Sequence, residues 1–206
     1  NGNSTMTIKI FSSLSQQKSE LKTLNPGAIK MYVCGPTVYD DCHIGHLMGP
    51  VIFDSIARWL KASKYQVTFV NNITDIDDKI INRSKTTGEN WLDITHRYTN
   101  QYWEFLKELH VTTITDFPKC SEYISPMIAY TQSLIDKDRA YSAEDGIYYD
   151  ISKQKDYGKL TRRDVKDMIS GSRVESTNTL KHQADFCLWK LAKPGEPSWD
   201  SPWGKG

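Results

Sequence analysis

The sequence predicts an α/β fold: a parallel sheet built on a strand–helix–strand unit, with an α+β segment after it. Two apolar strand patterns, Lys30–Val38 and Gln66–Ile73, flank a helical pattern running from about His46 to Lys61. Two strands joined through a helix run parallel, with a right-handed crossover. The texture changes after Lys137, where short alternating stretches and turn residues replace the long periodic segments, and a boundary is placed near Phe117. A chain of 206 residues, 38% hydrophobic and 25% charged, has the size and composition for one large globular domain or two small ones.

Taken in order, Asn1–Thr5 is polar and expected to fray. Thr7–Phe11 alternates as a short strand, and Ser12–Glu20 reads as a polar connection. In the first long helix Ile52, Ile56, Trp59 and Leu60 share one face, and Pro50 is acceptable only near the first turn. Asp75, Asp77 and Asp78 suit the start of a second helix near Asp77, since acids favour the positive end of the helix dipole; a magnesium cluster is the sharper alternative. A third helix, Trp91–Leu109, has Asn90 as its N-cap and a core stripe of Trp91, Ile94, Tyr98, Phe105 and Leu109. Ser121 is a candidate cap for a helix through Lys137, with Ile124, Ile128, Leu134 and Ile135 facing inward. Ala140–Ile151, turning at Glu144-Asp145-Gly146, reads as a hairpin, and Asp185–Leu191 as a further strand.

The net charge of +1 carries no signal for nucleic acid, and no apolar run approaches a membrane span. A cytoplasmic protein with no membrane association is expected, and a monomer. Cys34, Cys42, Cys120 and Cys187 contain no Cys-x-x-Cys pair, which excludes a self-contained zinc knuckle. Cys42, Cys120 and Cys187 read as buried or incidental thiols. Cys34 differs because it ends an apolar strand just before Gly35-Pro36, on the edge where parallel sheets bind ligands.

The same edge carries the most informative stretch, His43-Ile44-Gly45-His46. A helix start presents unpaired N–H groups and the positive end of a dipole, a natural seat for phosphate. Two imidazoles there add donors able to follow charge on a transferred phosphoryl group. Simple capping is the plainer alternative. Cys34–His46 and Asn71–Asp78 both lie beyond strand ends and are expected to line one pocket, which makes a substrate-facing role for Thr74 or Asp75 credible.

Tyr32-Val33-Cys34-Gly35-Pro36-Thr37-Val38-Tyr39-Asp40 followed by His43-Ile44-Gly45-His46 resembles the class I aminoacyl-tRNA synthetases for cysteine. The similarity continues through Val51–Asp54, Asn72–Ile81, Asp156–Leu160, Gly171–Val174, Asp185–Lys190 and Ala192–Trp199, and closes on Ser201-Pro202-Trp203-Gly204. The resemblance implies a Rossmann-like parallel sheet: the first half of a catalytic domain over 1–117, an α+β connective insertion over 118–185, and a return toward the catalytic domain over 186–206. It implies ATP-dependent activation of L-cysteine to cysteinyl-adenylate, with ATP and Mg2+ as substrate, and transfer to tRNA(Cys). His43 and His46 carry over as catalytic residues; Thr37, Tyr39, His43, Gly45 and His46 as the ATP site; Cys34, Gly35 and Thr74 as the cysteine site. Cys34 also carries over as one ligand of a Zn2+ ion that binds the substrate thiolate, which would separate cysteine from serine where shape does so poorly.

Some features depart from the family. The remaining zinc ligands, the Lys-Met-Ser-Lys-Ser loop, the second half of the nucleotide fold and the anticodon-binding region all lie outside these residues, so the chain alone is expected to be incomplete for activity. Leu47-Met48 stands where Ala-Arg is common, and Pro118–Tyr123 replaces a Pro-Arg-Ala-Thr-Glu-His run. Lys153, Lys155, Arg162 and Arg163 read as a solvated basic face, with tRNA phosphate as the alternative. Two other functions share parts of the pattern: an amide ligase passing cysteine from its adenylate to an aminosugar, and a non-catalytic synthetase-like fragment.

Overall fold

The computed structural model describes residues 7–162 and 180–206, so the expectations for Asn1–Thr5, Arg163 and Gly171–Val174 lie outside the described residues. In chain order the elements are β1 (Lys9–Ser12), β2 (Gln17–Glu20), β3 (Ala28–Val33), α1 (Ile44–Ala62), β4 (Gln66–Asn71) and α2 (Asp78–Thr87). There follow α3 (Trp91–Glu108), α4 (Ile124–Asp136), β5 (Ala140–Ala143), β6 (Gly146–Tyr149) and β7 (Phe186–Lys190), with 3-10 turns at Cys120–Tyr123 and Ile151–Lys153. They fall into two compact units, Thr23–Ile124 and Asn1–Lys22 with Ser125–Gly206.

The Thr23–Ile124 unit is the predicted β–α–β arrangement. β3 and β4 pair in parallel from Ala28 opposite Gln66 to Val33 opposite Asn71. Both strands end earlier than their apolar patterns suggest, because the chain leaves strand geometry at Cys34 and Asn72 to form the loops that carry polar residues. Parallel bridges Val70–Asp116 and Ile73–Lys119 add a third chain segment beside β4. Buried Asn71 fastens the sheet to α3: its Nδ2 donates to the Val33 carbonyl at 3.0 Å, and the Tyr102 hydroxyl donates to its Oδ1 at 2.7 Å.

Helix packing differs from the periodicity in instructive ways. The core side of α3 is the i, i+4 row Ile94, Tyr98, Tyr102 and Leu106, packed with Val38 and Ile73. Leu109, expected inside, is exposed. In α1 the buried residues are Pro50, Asp54, Ala57 and Leu60, whereas Ile52, Ile56 and Trp59 of the expected inner face are exposed. The helix is apolar nearly all round, so hydrophobic spacing alone does not choose a side. Asp54 makes the choice. Its Oδ1 accepts from the Thr112 and Thr113 amides and the Thr113 hydroxyl at 2.7–2.9 Å, and Arg58 Nε donates to Oδ2 at 2.6 Å. Pro50 lies inside α1, beyond the first turn expected for it, and denies the His46 carbonyl its i+4 donor.

In the other unit β1 and β2 form an exposed antiparallel hairpin, where Ser12–Glu20 was expected to be a plain connection. β5, β6 and β7 form an antiparallel sheet in that order. Buried Asp185 ties it together, accepting from the Tyr141 hydroxyl and from the Ile151 and His182 amides. In α4 only Thr131 is fully buried, while Ile124, Ile128, Leu134 and Ile135 are half-buried. Among the described residues no helix is long and apolar enough to cross a membrane.

Candidate active site

The chain between β3 and α1 is stitched to the chain after β4. Thr74 donates its amide to the Pro36 carbonyl at 3.0 Å and accepts from the Val38 amide at 3.2 Å, a parallel bridge between Thr37 and Thr74. The two segments predicted to line one pocket therefore meet, and each half of the site hangs from this seam.

The first half is the start of α1. His43 is the N-cap, with extended backbone, and its Nδ1 accepts from the Gly45 amide at 3.1 Å. His46 reaches back, its Nδ1 accepting from the His43 amide at 3.3 Å. The rings stack with centroids 3.8 Å apart. An Nδ1 that accepts carries no proton, so each neutral ring holds its proton on Nε2 and offers Nε2–H as its donor. Gly45 makes this geometry possible, since a Cβ there would stand 2.9–3.0 Å from the His43 ring. Both rings therefore serve the cap through Nδ1.

Burial pushes the His46 imidazole below its ordinary value, and the neighbouring His43 and Lys79 charges push in the same direction. Because the folded value is lowered, the neutral ring is the form the fold favours. Its contribution to stability is full above about pH 6.5, the unfolded value, and is lost as pH falls through the folded value. A proton NMR titration of the His46 ring should therefore show a midpoint below 6.5, and a midpoint above it would contradict this account of the helix start.

Two flanking helices set the approach to His43. Gln101 of α3 accepts from the Cys42 amide at 2.8 Å and donates to Asp41 Oδ1 at 3.0 Å. Arg83 of α2 pairs with Asp40 at 3.2 Å. Lys79, in the first turn of α2, lies over the Tyr39 ring at 5.1 Å and is also a near charge to His46. Sequence reading passed over Lys79 and Gln101. The Thr74–Lys79 run draws attention to its carboxylates, and a lone glutamine in an amphipathic helix has no distinguishing pattern.

The second half gathers Tyr32, Cys34, Gly35, Asn72, Thr74 and Cys120. Asn72 Oδ1 accepts from the Tyr32 hydroxyl and the Gly35 amide, both at 2.9 Å, and its Nδ2 donates to Thr74 Oγ1 at 3.1 Å. A Cβ on Gly35 would overlap the Asn72 carbonyl oxygen at 1.6 Å, so only glycine fits there. With its amide committed to Asn72, Gly35 shapes the loop. Desolvation, then the neighbouring Cys34 and Cys120 thiols, push up the Tyr32 phenol. Cys120, read as a buried or incidental thiol, is half-buried, and its amide donates to the Ile73 carbonyl at 3.1 Å; burial pushes its thiol up.

The three aspartates separate. Asp77 caps α2, accepting from the Lys79 amide at 2.8 Å, Asp78 is exposed in its first turn, and Asp75 accepts from the amide and hydroxyl of Ser121. Ser121, expected as a helix cap, is thus a ligand of Asp75. Among the described residues no three His, Cys, Asp or Glu side chains converge to hold a metal ion. Cys34 is a single exposed donor and by itself does not make a zinc site.

Residues 20–206 match the family described as tRNA synthetases class I (C) catalytic domain. The chain is 44% identical over 203 residues to a protein named Cysteine--tRNA ligase from Thermodesulfovibrio yellowstonii, covering 97% of this chain and 42% of that one. A protein of the same name from Thermococcus kodakarensis is 45% identical over 201 residues, with 98% and 42% covered. One from Methanococcus maripaludis is 44% identical over 199 residues, with 97% and 42% covered. The chain therefore spans about two fifths of the length of these relatives. Among solved structures, Mycobacterium tuberculosis methionyl-tRNA synthetase in complex with methionyl-adenylate superposes with a TM-score of 0.53 at 14% identity, covering 62% of this chain and 25% of that one. The ternary LeuRS–tRNA–LeuAMS complex of Agrobacterium radiobacter gives 0.50 at 20% identity, covering 65% and 18%. These two likenesses speak for the fold alone. With nearly the whole sequence matched, and with the parallel sheet and its paired loops in place, the chain belongs to the class I tRNA synthetase catalytic-domain family of the cysteine type.

Proposed function

We propose that the full-length protein is a cysteine–tRNA ligase, activating L-cysteine with ATP to cysteinyl-adenylate and passing the cysteinyl group to tRNA(Cys). The observation that carries this reading is the pair of Nδ1-capped imidazoles at the start of α1, beside the end of β4. Their Nε2–H groups and the helix dipole suit the charge that develops on the α-phosphate as the cysteine carboxylate attacks and pyrophosphate leaves. Thr37, Tyr39 and Gly45 complete the ATP side. Cys34, Gly35 and Thr74 form the cysteine side, where Cys34 would supply one thiolate to a zinc ion. In this reading 118–185 is the connective insertion between the halves of the catalytic domain.

Cysteine-dependent ATP–pyrophosphate exchange by the full-length protein, with serine as control, tests the proposal. Exchange with cysteine and none with serine is the expected result. No exchange from folded, zinc-loaded protein would remove the catalytic claim.

A further inference from the structure

The Asn72 side chain joins both strand-end loops of the cysteine half, and its three hydrogen bonds have a fixed sense. Oδ1 takes two donors, the Tyr32 hydroxyl and the Gly35 amide. The amide therefore cannot flip without losing both, and Nδ2 must face Thr74 as a donor. A threonine hydroxyl that accepts at its oxygen keeps its own proton for another partner. We propose that Asn72 is a positioning residue that sets the hydrogen-bond polarity of Thr74, turning its O–H outward as a donor for the sulfur of the amino-acid substrate. The inference rests on the reading of this half as the cysteine pocket.

Cys120 adjoins this half of the site, its amide donating to the Ile73 carbonyl at 3.1 Å, next to Asn72 and Thr74 in the chain. A donor pair that serves a thiolate serves serine poorly, because serine's hydroxyl is not ionised and is a weaker acceptor. Asn72 also presents its backbone carbonyl to the Gly35 Cα, so loop shape and hydroxyl direction come from one residue.

The test is Asn72→Asp, which keeps size and the two Oδ1 bonds but replaces the Nδ2 donor by an acceptor. The Thr74 proton then turns inward to the new carboxylate, which also adds a negative charge near the sulfur. In cysteine-dependent ATP–pyrophosphate exchange by the full-length protein, the KM for cysteine should rise about ten- to a hundredfold, the scale of a hydrogen bond to a charged group. The KM for ATP should stay within about threefold, a split that general unfolding would not produce. Because action through Thr74 is specific, Asn72→Asp should change the cysteine KM by less than about threefold when built on Thr74→Val. Asn72→Ser, which restores a short hydroxyl donor, covers the case in which the aspartate variant does not fold, and should recover part of the cysteine affinity lost in Asn72→Ala. Equal changes in both KM values, or full additivity with Thr74→Val, would overturn the inference and leave the ligase reading standing. Absence of cysteine-dependent exchange by the unsubstituted protein would overturn both.

Discussion

His46→Gln in the full-length protein is expected to keep the fold and lower the rate of cysteine-dependent ATP–pyrophosphate exchange by roughly a hundred- to a thousandfold. The reasoning starts from the double duty of the ring. Its Nδ1 accepts the His43 amide and so completes the cap of α1, while in the proposed reaction its Nε2–H donates to the phosphate. Glutamine at the third helical position accepts the same amide through its side-chain oxygen, as in an ordinary capping box. It does not place a donor where the imidazole edge was. His46→Ala removes both functions and should lose about 0.5–2 kcal/mol of stability in addition to the rate. His43→Asn separates the functions at the neighbouring position, because asparagine is a strong N-cap. Steady-state exchange kinetics and thermal melts on the three variants check the scheme. Comparable exchange by wild type and His46→Gln would reduce the histidine pair to helix caps.

The starts of α2 and α3 were legible because caps are local chemistry, whereas Ser121, which also suits a cap, serves Asp75 and α4 begins at Ile124. Asp77 and Asn90 each accept an amide two residues ahead, the bonds their sequence positions suggest. The parallel pairing of β3 with β4 was legible too, since the intervening helix leaves little choice. What was illegible is tertiary. β2 is Gln-Lys-Ser-Glu, exposed along its whole length, so no alternation announces it; the backbone pairing with β1 makes it a strand. The inward side of α1 was misjudged because Ile52, Ile56 and Trp59 outrank Asp54 and Ala57 on any hydrophobic count, whereas the fold buries the aspartate.

In the site the same division holds. His43, Gly45 and His46 are sequence neighbours whose spacing contains their geometry. Thr37 and Thr74 meet across 37 positions, a pairing that parallel topology foretells in outline. The link from Asn72 to Tyr32, 40 positions away, is visible only once the strands are in register. Cys120 looks like a stray thiol until the bond from its amide to the Ile73 carbonyl brings it beside β4.

Asp54 underlies the second large effect, because it fastens α1 to the chain that follows α3. The carboxylate sits on the helix led by His43 and holds the chain at Thr112–Thr113, while Arg58 spans to the His110 carbonyl and the Thr112 hydroxyl. Burial raises the carboxyl, but hydrogen bonds from the Thr113 hydroxyl, Arg58 and the Thr113 and Thr112 amides outweigh it, leaving Asp54 below the usual carboxylate range. A lowered folded value means this stabilisation is present above the unfolded value near 3.8 and is lost as pH falls through the folded one. Asp54→Ala leaves the buried Thr113 amide and hydroxyl and the part-buried Thr112 amide without their acceptor, and should cost about 3–5 kcal/mol. That corresponds to a melting temperature lower by on the order of 10 °C. Asp54→Asn keeps the volume and one acceptor oxygen and should cost about half as much, since only the charge-assisted part is lost. Denaturant melts of wild type and both variants at pH 7 and again near pH 3 check this. The gap between wild type and Asp54→Asn should narrow at the lower pH, where the carboxyl takes up its proton. An alanine variant as stable as wild type would mean that apolar packing, and not the aspartate, seats α1 on the sheet.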